Sequence, residues 1–358
     1  MIDKINKDSK FIIIQDTHFW HKNIRGRRSY IKECAHNLNL IREVIDKVKE
    51  CAKEGTKIYL IFLGDVFHRS IDSPPSYNAW VQTITALRSK LNGIYTVVGN
   101  HEMTYAVDNP FWGLINEVRS PTIRNLGLKH TGALGVITLV DHIDVYNTRI
   151  HFNHYGTQIY NISNENNVLM AHDYWSTKEI INSLAIDLND ESIKKYSQGN
   201  QIQENCVLRF FDQCFFGHNH MLKGLFDIHW DDEIYGKTTL HYLSSLGLTN
   251  RREVVGTETT RTIPVLSVDK EGTSVEEFTV ELLHMNEEVL DKEEVSKSKK
   301  KYKRQKTLNN LIRKYVFEGE DPVEVLRNEI INDKMALDVF DNIREGRIPE
   351  WITKYTIY

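Results

Sequence analysis

The sequence predicts an α/β protein built on a parallel sheet. Three observations carry that expectation. Apolar, β-branched and aromatic runs recur at residues 11–14, 58–63 and 94–98; segments of helical period separate them; and each run stops abruptly on polar, chemistry-bearing residues. Strand, helix, strand, helix, strand is the order of βαβ crossovers, which lay strands side by side and parallel. In such sheets ligands gather beyond the carboxyl ends of the strands.

Residues 11–14 are the first strand and deliver Gln15, Asp16, Thr17 and His18. The loop behind them, with Lys22, Arg25, Arg27 and Arg28, is the most basic part of the N-terminal half. On the strand-end rim it can hold phosphate oxygens; as a solvated face it would have no such role. Leu38, Ile41, Val44, Ile45 and Val48 recur at helical spacing and predict a helix over residues 38–52 that covers one sheet face. The run from Ile58 to Leu63 reads as a strand buried on both faces, ending in Gly64-Asp65-Val66-Phe67-His68. A lone Gly-Asp would be an ordinary turn. Here the pattern recurs.

Pro74, Pro75 and Ser76 punctuate a loop, residues 79–91 predict the second crossover helix, and residues 94–98 end in Gly99-Asn100-His101-Glu102. In the stretch 104–167, residues 127–138 and 144–152 are expected as strands, and His130, His142, His151 and His154 read as surface or core imidazoles. Residues 167–171 end in His172, and residues 214–216 lead into Gly217-His218-Asn219-His220. Residues 241–246 follow, then a hairpin of 263–268 and 275–283 joined by Asp269-Lys270-Glu271-Gly272. These elements make residues 1–284 one domain. Residues 285–306 form a charged linker, its Lys and Arg concentrated in 297–306. Residues 307–358 read as a short helical appendage: Leu308, Leu311, Ile312 and Tyr315 keep a helical stripe, and Asp321-Pro322-Val323-Glu324 has the signals of a helix start. That stripe either packs back on the parent domain or binds a partner.

Composition narrows the setting. The chain has 358 residues, with 45 Lys and Arg against 49 Asp and Glu, a net charge of −4. Global charge therefore does not mark a nucleic-acid binder, and any such surface is local. Cys34, Cys51, Cys206 and Cys214 lack metal or disulfide spacing, which implies reduced thiols. No apolar stretch reaches the ~20 residues needed to span a bilayer, and the polar first ten residues lead into no signal-peptide core. A soluble, cytoplasmic protein without membrane contact is expected.

Carboxylate, imidazole and amide groups collected at several strand ends suit a divalent-metal site for Mn, Fe or Zn. In order the motifs are Asp16-x-His18, Gly64-Asp65-x-x-His68, Gly99-Asn100-His101-Glu102, His172 and Gly217-His218-x-His220. Over residues 11–283 this ordered set resembles the calcineurin-like metallophosphoesterases. The resemblance implies a two-sheet α/β sandwich flanked by helices and a two-metal phosphoesterase. By that pattern Asp16, His18 and His220 hold one ion, Asn100, His172 and His218 the other, and Asp65 bridges them. Ions about 3.5–4 Å apart need a shared anion, polarise phosphoryl oxygens and activate a water for in-line attack. His101 matches the family's catalytic histidine, which protonates the leaving oxygen, and Glu102 is expected to orient its ring. His172 is preferred to His151 and His154 because an apolar run precedes it. The ions are expected to be Mn²⁺, with Mg²⁺, Fe or Zn²⁺ as alternatives.

Within the superfamily, the Gly64-to-His68 run before the Pro74-Pro75-Ser76 loop, the segment 242–249 and the terminal hairpin are similar to SbcD-type DNA repair exonucleases. That resemblance implies a DNA exo- or endonuclease with DNA and an SbcC-type, SMC-like ATPase as partners, the ATPase held by the tail; a homodimer is left open. His68, Arg69, Arg25, Arg27 and Arg28 are then expected to bind substrate. Phe19-Trp20 and Glu102 depart from the nuclease pattern, and there is little room for a DNA-capping domain after residue 283. The rival is a phosphomonoesterase of the protein Ser/Thr phosphatase kind, whose Gly-Asn-His-Glu motif and phosphate-binding arginine match residues 99–102 and Arg69, or a small-substrate phosphodiesterase. The arginine's neighbours, His68 and Ser70, do not match.

Overall fold

The computed structural model describes residues 4–19, 30–67, 84–104, 115–120, 123, 137–159, 162, 166–173, 175, 176, 180, 207–220, 222–230, 236–243, 245–247, 260–281, 293, 296, 297 and 300. The chain divides into two compact units, Met1–Val295 and Ser296–Tyr358. Every strand below lies in the first. The expected tail helices and most of the linker fall outside the described residues.

Among the described residues two seven-stranded sheets form, the two-sheet α/β architecture the resemblance implied. In one, β2 (Ser9–Ile14), β3 (Lys57–Leu63) and β4 (Gly93–Val97) run parallel at the centre. On one side of them β13 (Thr260–Val268) and β14 (Thr273–Glu281) add antiparallel; on the other lie β6 (Ile137–Leu139) and β5 (Ile115–Val118). In the second sheet β8 (Thr148–Asn153), β9 (Asn166–His172), β10 (Gln213–Gly217) and β12 (Lys237–Tyr242) are parallel. Its edges are β11 (Gly224–His229) and, beyond β7 (His142–Val145), β1 (Lys4–Ile5).

The central strands are apolar throughout because both their faces are covered. Ile12, Ile14, Leu60 and Phe62 pack beneath the helix Tyr30–Cys51, whose Leu38, Ile41, Val44, Ile45 and Val48 are buried. Phe11, Ile13, Tyr59, Ile61 and Leu63 point the other way and meet Ile150, Phe152, Val168, Met170 and Phe215 of the second sheet. Burying each such side chain contributes about 1.5–3 kcal/mol. An aromatic series, Phe11 to Tyr59 at 5.1 Å, Tyr59 to Tyr95 at 5.7 Å and Tyr95 to Phe152 at 5.9 Å, crosses between the sheets. Leu169, Ala171, Phe216 and Leu240 face outward onto a third cluster with Trp175 and Phe211.

Local differences from the sequence expectations have simple causes. The strand expected at 144–152 is interrupted: β7 turns at Tyr146, whose φ is 52°, and returns antiparallel as β8. Asn147 beside it supplies a turn residue that an apolar count overlooks. A strand runs over Lys237–Tyr242 and ends just inside the segment 241–246, and the first helix starts at Tyr30, ahead of its apolar stripe. Residues 84–89 are helical within the expected 79–91, and of 127–138 only residues 137 and 138 are described, both in β6. Cys34 and Cys214 are buried and Cys51 is exposed. Among the described residues no helix is long and apolar enough to cross a membrane.

Candidate metal centre

Parallel register brings the polar strand ends together. β2, β3 and β4 end side by side, so the turns carrying Asp16, Asp65 and Asn100 leave one rim. β9 and β10 pair Gly217 with His172 and deliver His172, His218 and His220 from the other sheet. Bonds join the rims: the His218 amide donates to Asp16 Oδ2 at 2.9 Å, and His172 Nδ1 lies 2.6 Å from the Leu63 carbonyl. The His18 amide donates to the Asp65 carbonyl at 2.9 Å, closing the two carboxylate turns onto each other.

The side chains form two groups around one carboxylate. Asp16 Oδ1 lies 3.9 Å from His18 Nε2 and 3.7 Å from His220 Nε2. Asp65 Oδ1 lies 3.4 Å from His172 Nε2, while Asp65 Oδ2 faces His18 and His101, each at 3.8 Å. Three sets of donor atoms fall within 4.8 Å of one another: Asp16, His18 and His220; His18, Asp65 and His101; Asp65, His172 and His218. His101 is more open than its neighbour, its side chain 20% exposed against 2% for His18.

The donors fit cations. His18 Nε2 and His220 Nε2 converge to 3.0 Å. At metal–nitrogen bonds of about 2.1 Å, that separation subtends roughly 90° at one ion, the angle between adjacent ligands of an octahedron. Asp16 Oδ1 is buried and accepts no hydrogen bond among the described residues. The Asn100 amide oxygen lies 3.1 Å from His172 Nε2. If that amide is turned over, its nitrogen donates to His218 Nδ1 at 2.9 Å and Asp65 Oδ2 at 3.0 Å. Unturned, the oxygen faces the lone pairs of Asp65 Oδ2 and His218 Nδ1, the surroundings of a metal ligand.

Charge is concentrated here. Burial works against the Asp65 carboxylate, yet His172, His18 and His101 hold it well below the usual carboxylate range. Burial likewise opposes the His172 imidazolium, but Asp65 and Asp16 overcome it and push His172 up to about 9. Burial, with the His172 charge, pushes His218 down to about 3. Backbone strain collects at the same place. Asp16 and His18 have φ of 41°, Asp65 of 47° and His218 of 78°, a conformation that costs a non-glycine residue about 1–2 kcal/mol.

The family model for calcineurin-like phosphoesterases matches residues 9–222, from β2 through the Gly217-to-His220 turn. The chain is a calcineurin-like phosphoesterase. The chemistry of that family is metal-dependent hydrolysis of phosphoesters. No curated protein matches the chain. A solved structure that it is similar to is vacuolar protein sorting 29 from Cryptosporidium parvum, at 9% identity and a TM-score of 0.26, covering 77% of this chain and 100% of that one.

Around the phosphoesterase centre, several groups act on the backbone. Glu102 is fully buried, and its carboxylate accepts the Asp65 and Gly99 amides at 2.9 Å and the Phe67 amide at 3.3 Å. It thereby ties the Asp65 turn to the Asn100 turn, a role beyond the ring-orienting one expected from sequence. Burial and the neighbouring Asp65 charge push Glu102 up to about 8. Gly64, at φ 79°, leaves room for the His172 ring, which a Cβ would strike. Ser245 Oγ donates to the Asp16 carbonyl at 2.7 Å, and the Gly247 amide to the same oxygen at 3.1 Å.

Asp16, His18, Asp65, Asn100, His101, His172, His218 and His220 are thus brought together, with Glu102 behind them. His68, Arg69, Arg25, Arg27 and Arg28 lie outside the described residues. His151 bonds Asn167 at 3.1 Å and packs on Phe211. His154 is buried, and its Nδ1 accepts the Val98 amide at 3.1 Å, just ahead of Gly99 and Asn100. The parts that sequence reading missed are this contact, Tyr155 beside it, and the Ser245 and Gly247 clamp. Only a histidine near a strand end hinted at the first, nothing local marked Tyr155, and the clamp lies in the segment 242–249 singled out by the resemblance.

Proposed function

We propose that this phosphoesterase hydrolyses phosphodiesters with two divalent cations, and that its substrate is DNA. Asp16, His18 and His220 would hold one cation and Asn100, His172 and His218 the other. The carrying observation is Asp65, whose Oδ1 faces His172 while its Oδ2 faces His18 and His101. A carboxylate so placed serves both sides of a two-metal site. Such cations, when bound, supply Lewis-acid polarisation of the phosphoryl group and an activated water.

The chain's own groups do the rest. The His101 backbone is fixed by its amide bond to Asp65 Oδ1 at 2.9 Å, so its ring is held at the mouth of the centre. From there its Nε2 can carry a proton to the departing oxygen. Glu102 keeps the two metal-bearing turns in register, and the cover of the two sheets excludes water from Asp16, Asp65 and His172.

The DNA reading is supported by the SbcD-like run from Gly64 to His68 and by the basic sequence with Arg25, Arg27 and Arg28, which would supply phosphate contacts. His68 and Arg69 would add to them. A cytoplasmic setting, Mn²⁺ as the ion, residues 307–358 as a module held by an SMC-like ATPase, and residues 285–306 as its linker complete the proposal. Its test is a substrate panel with Mn²⁺: duplex DNA, single-stranded DNA, a phosphopeptide, cyclic nucleotides and bis-p-nitrophenyl phosphate. Cleavage of DNA, weakening as salt rises because phosphate contacts release counterions, is the expected result. Preference for the phosphopeptide would make the protein a phosphomonoesterase and overturn the DNA reading.

A further inference from the structure

The turn that follows β8 belongs to no motif of the centre, yet it is fastened to it. The Tyr155 amide donates to the Val98 carbonyl at 2.9 Å, and His154 Nδ1 accepts the Val98 amide at 3.1 Å. Both polar groups of Val98 are therefore taken by His154 and Tyr155, and Val98 leads directly into Gly99 and Asn100. Thr157 closes the turn, its hydroxyl and amide donating to the His154 carbonyl at 2.7 and 3.0 Å. The backbone of Tyr155 is thus held to the same strand end that carries Asn100.

Its ring stands over the centre. The Tyr155 ring lies 5.4 Å from that of His218 and 6.4 Å from that of His172. His101 stands 5.1 Å from another ring of the cluster, that of His18. Tyr155 is only partly buried, so the ring beside His218 and His172 also reaches solvent. A phenol is protonated at neutral pH and is a hydrogen-bond donor. Charge on the non-bridging oxygens of a phosphoester is stabilised by donors already fixed in place.

We propose that Tyr155 is a substrate-binding residue of this centre, its hydroxyl donating to a non-bridging phosphoryl oxygen on the His172 and His218 side. The inference rests on the two-cation reading above. The full-length protein with Mn²⁺, its Tyr155→Phe variant and its Tyr155→Leu variant would be titrated with inorganic phosphate by calorimetry, and turned over with bis-p-nitrophenyl phosphate. Loss of one hydrogen bond to a charged oxygen should weaken phosphate binding by Tyr155→Phe about tenfold, with Mn²⁺ affinity and melting temperature unchanged. Phosphate binding by Tyr155→Phe equal to wild type overturns the inference, even if Tyr155→Leu is impaired, because the ring alone would then matter. Joint loss of Mn²⁺ and phosphate by Tyr155→Phe also overturns it, as a merely structural role. Wild-type protein that binds no phosphate with Mn²⁺ present overturns this inference and the two-cation reading together.

Discussion

Gly99→Ala is the sharpest test of how the centre is assembled. A Cβ at this position would fall inside contact distance of Asp65 Oδ1 and the Asp65 amide, and 2.8 Å from Glu102 Oε2. Since non-bonded carbon contacts settle at about 3.5 Å or more, the turn must retreat by roughly 1 Å from Asp65. Retreat breaks or stretches the bonds of Asp65 and Gly99 amides to Glu102, both 2.9 Å, and of the His101 amide to Asp65. Leaving a buried amide donor unsatisfied costs about 1–3 kcal/mol, so losing two such bonds destabilises the fold by about 2–6 kcal/mol. At roughly 2–4 °C per kcal/mol for a domain near this size, melting should fall by about 10 °C. Displacing Asn100 and Asp65 on that scale should also cut turnover about 100-fold. Thermal melting, Mn²⁺ titration and bis-p-nitrophenyl phosphate hydrolysis measure all three. A variant that melts within 2 °C of wild type and binds Mn²⁺ normally would refute the claim that Glu102 and the bare Gly99 backbone lock the two turns.

Other expectations follow from the same geometry. His101→Asn should lower turnover by about 10²–10⁴ while retaining bound Mn²⁺; loss of metal on equilibrium dialysis would instead make His101 a ligand. Burial holds His151 and His241 down at about 4, against 6.5 for the exposed group. The unfolded chain binds their protons first, so their stabilisation is complete above pH 6.5 and is lost as pH falls toward 4. Each should lose roughly 2 kcal/mol between pH 7 and pH 5, and urea unfolding of His151→Gln and His241→Gln at both values should show a smaller drop than wild type. Deleting residues 296–358 should leave hydrolysis of a chromogenic diester unchanged but abolish co-purification with an SMC-like ATPase; a surviving complex would refute the role given to the tail.

The sequence by itself determined the central strands and what they end on. Phe11 to Ile14 and Ile58 to Leu63 are apolar at every position, which only a strand covered on both faces tolerates, and the carboxylates stand where those runs stop. The tertiary structure decided which distant groups meet. His154 and His172 look alike locally, yet one imidazole bonds the Val98 amide and the other faces Asp65. Glu102 binds the Asp65 turn across 37 residues of chain, and Tyr155 joins the centre through Val98, 57 residues earlier in number. The physical reason is that strand periodicity is local, whereas the register of one sheet over the other sums many small packing contacts. Only that register sets which polar side chains share the rim.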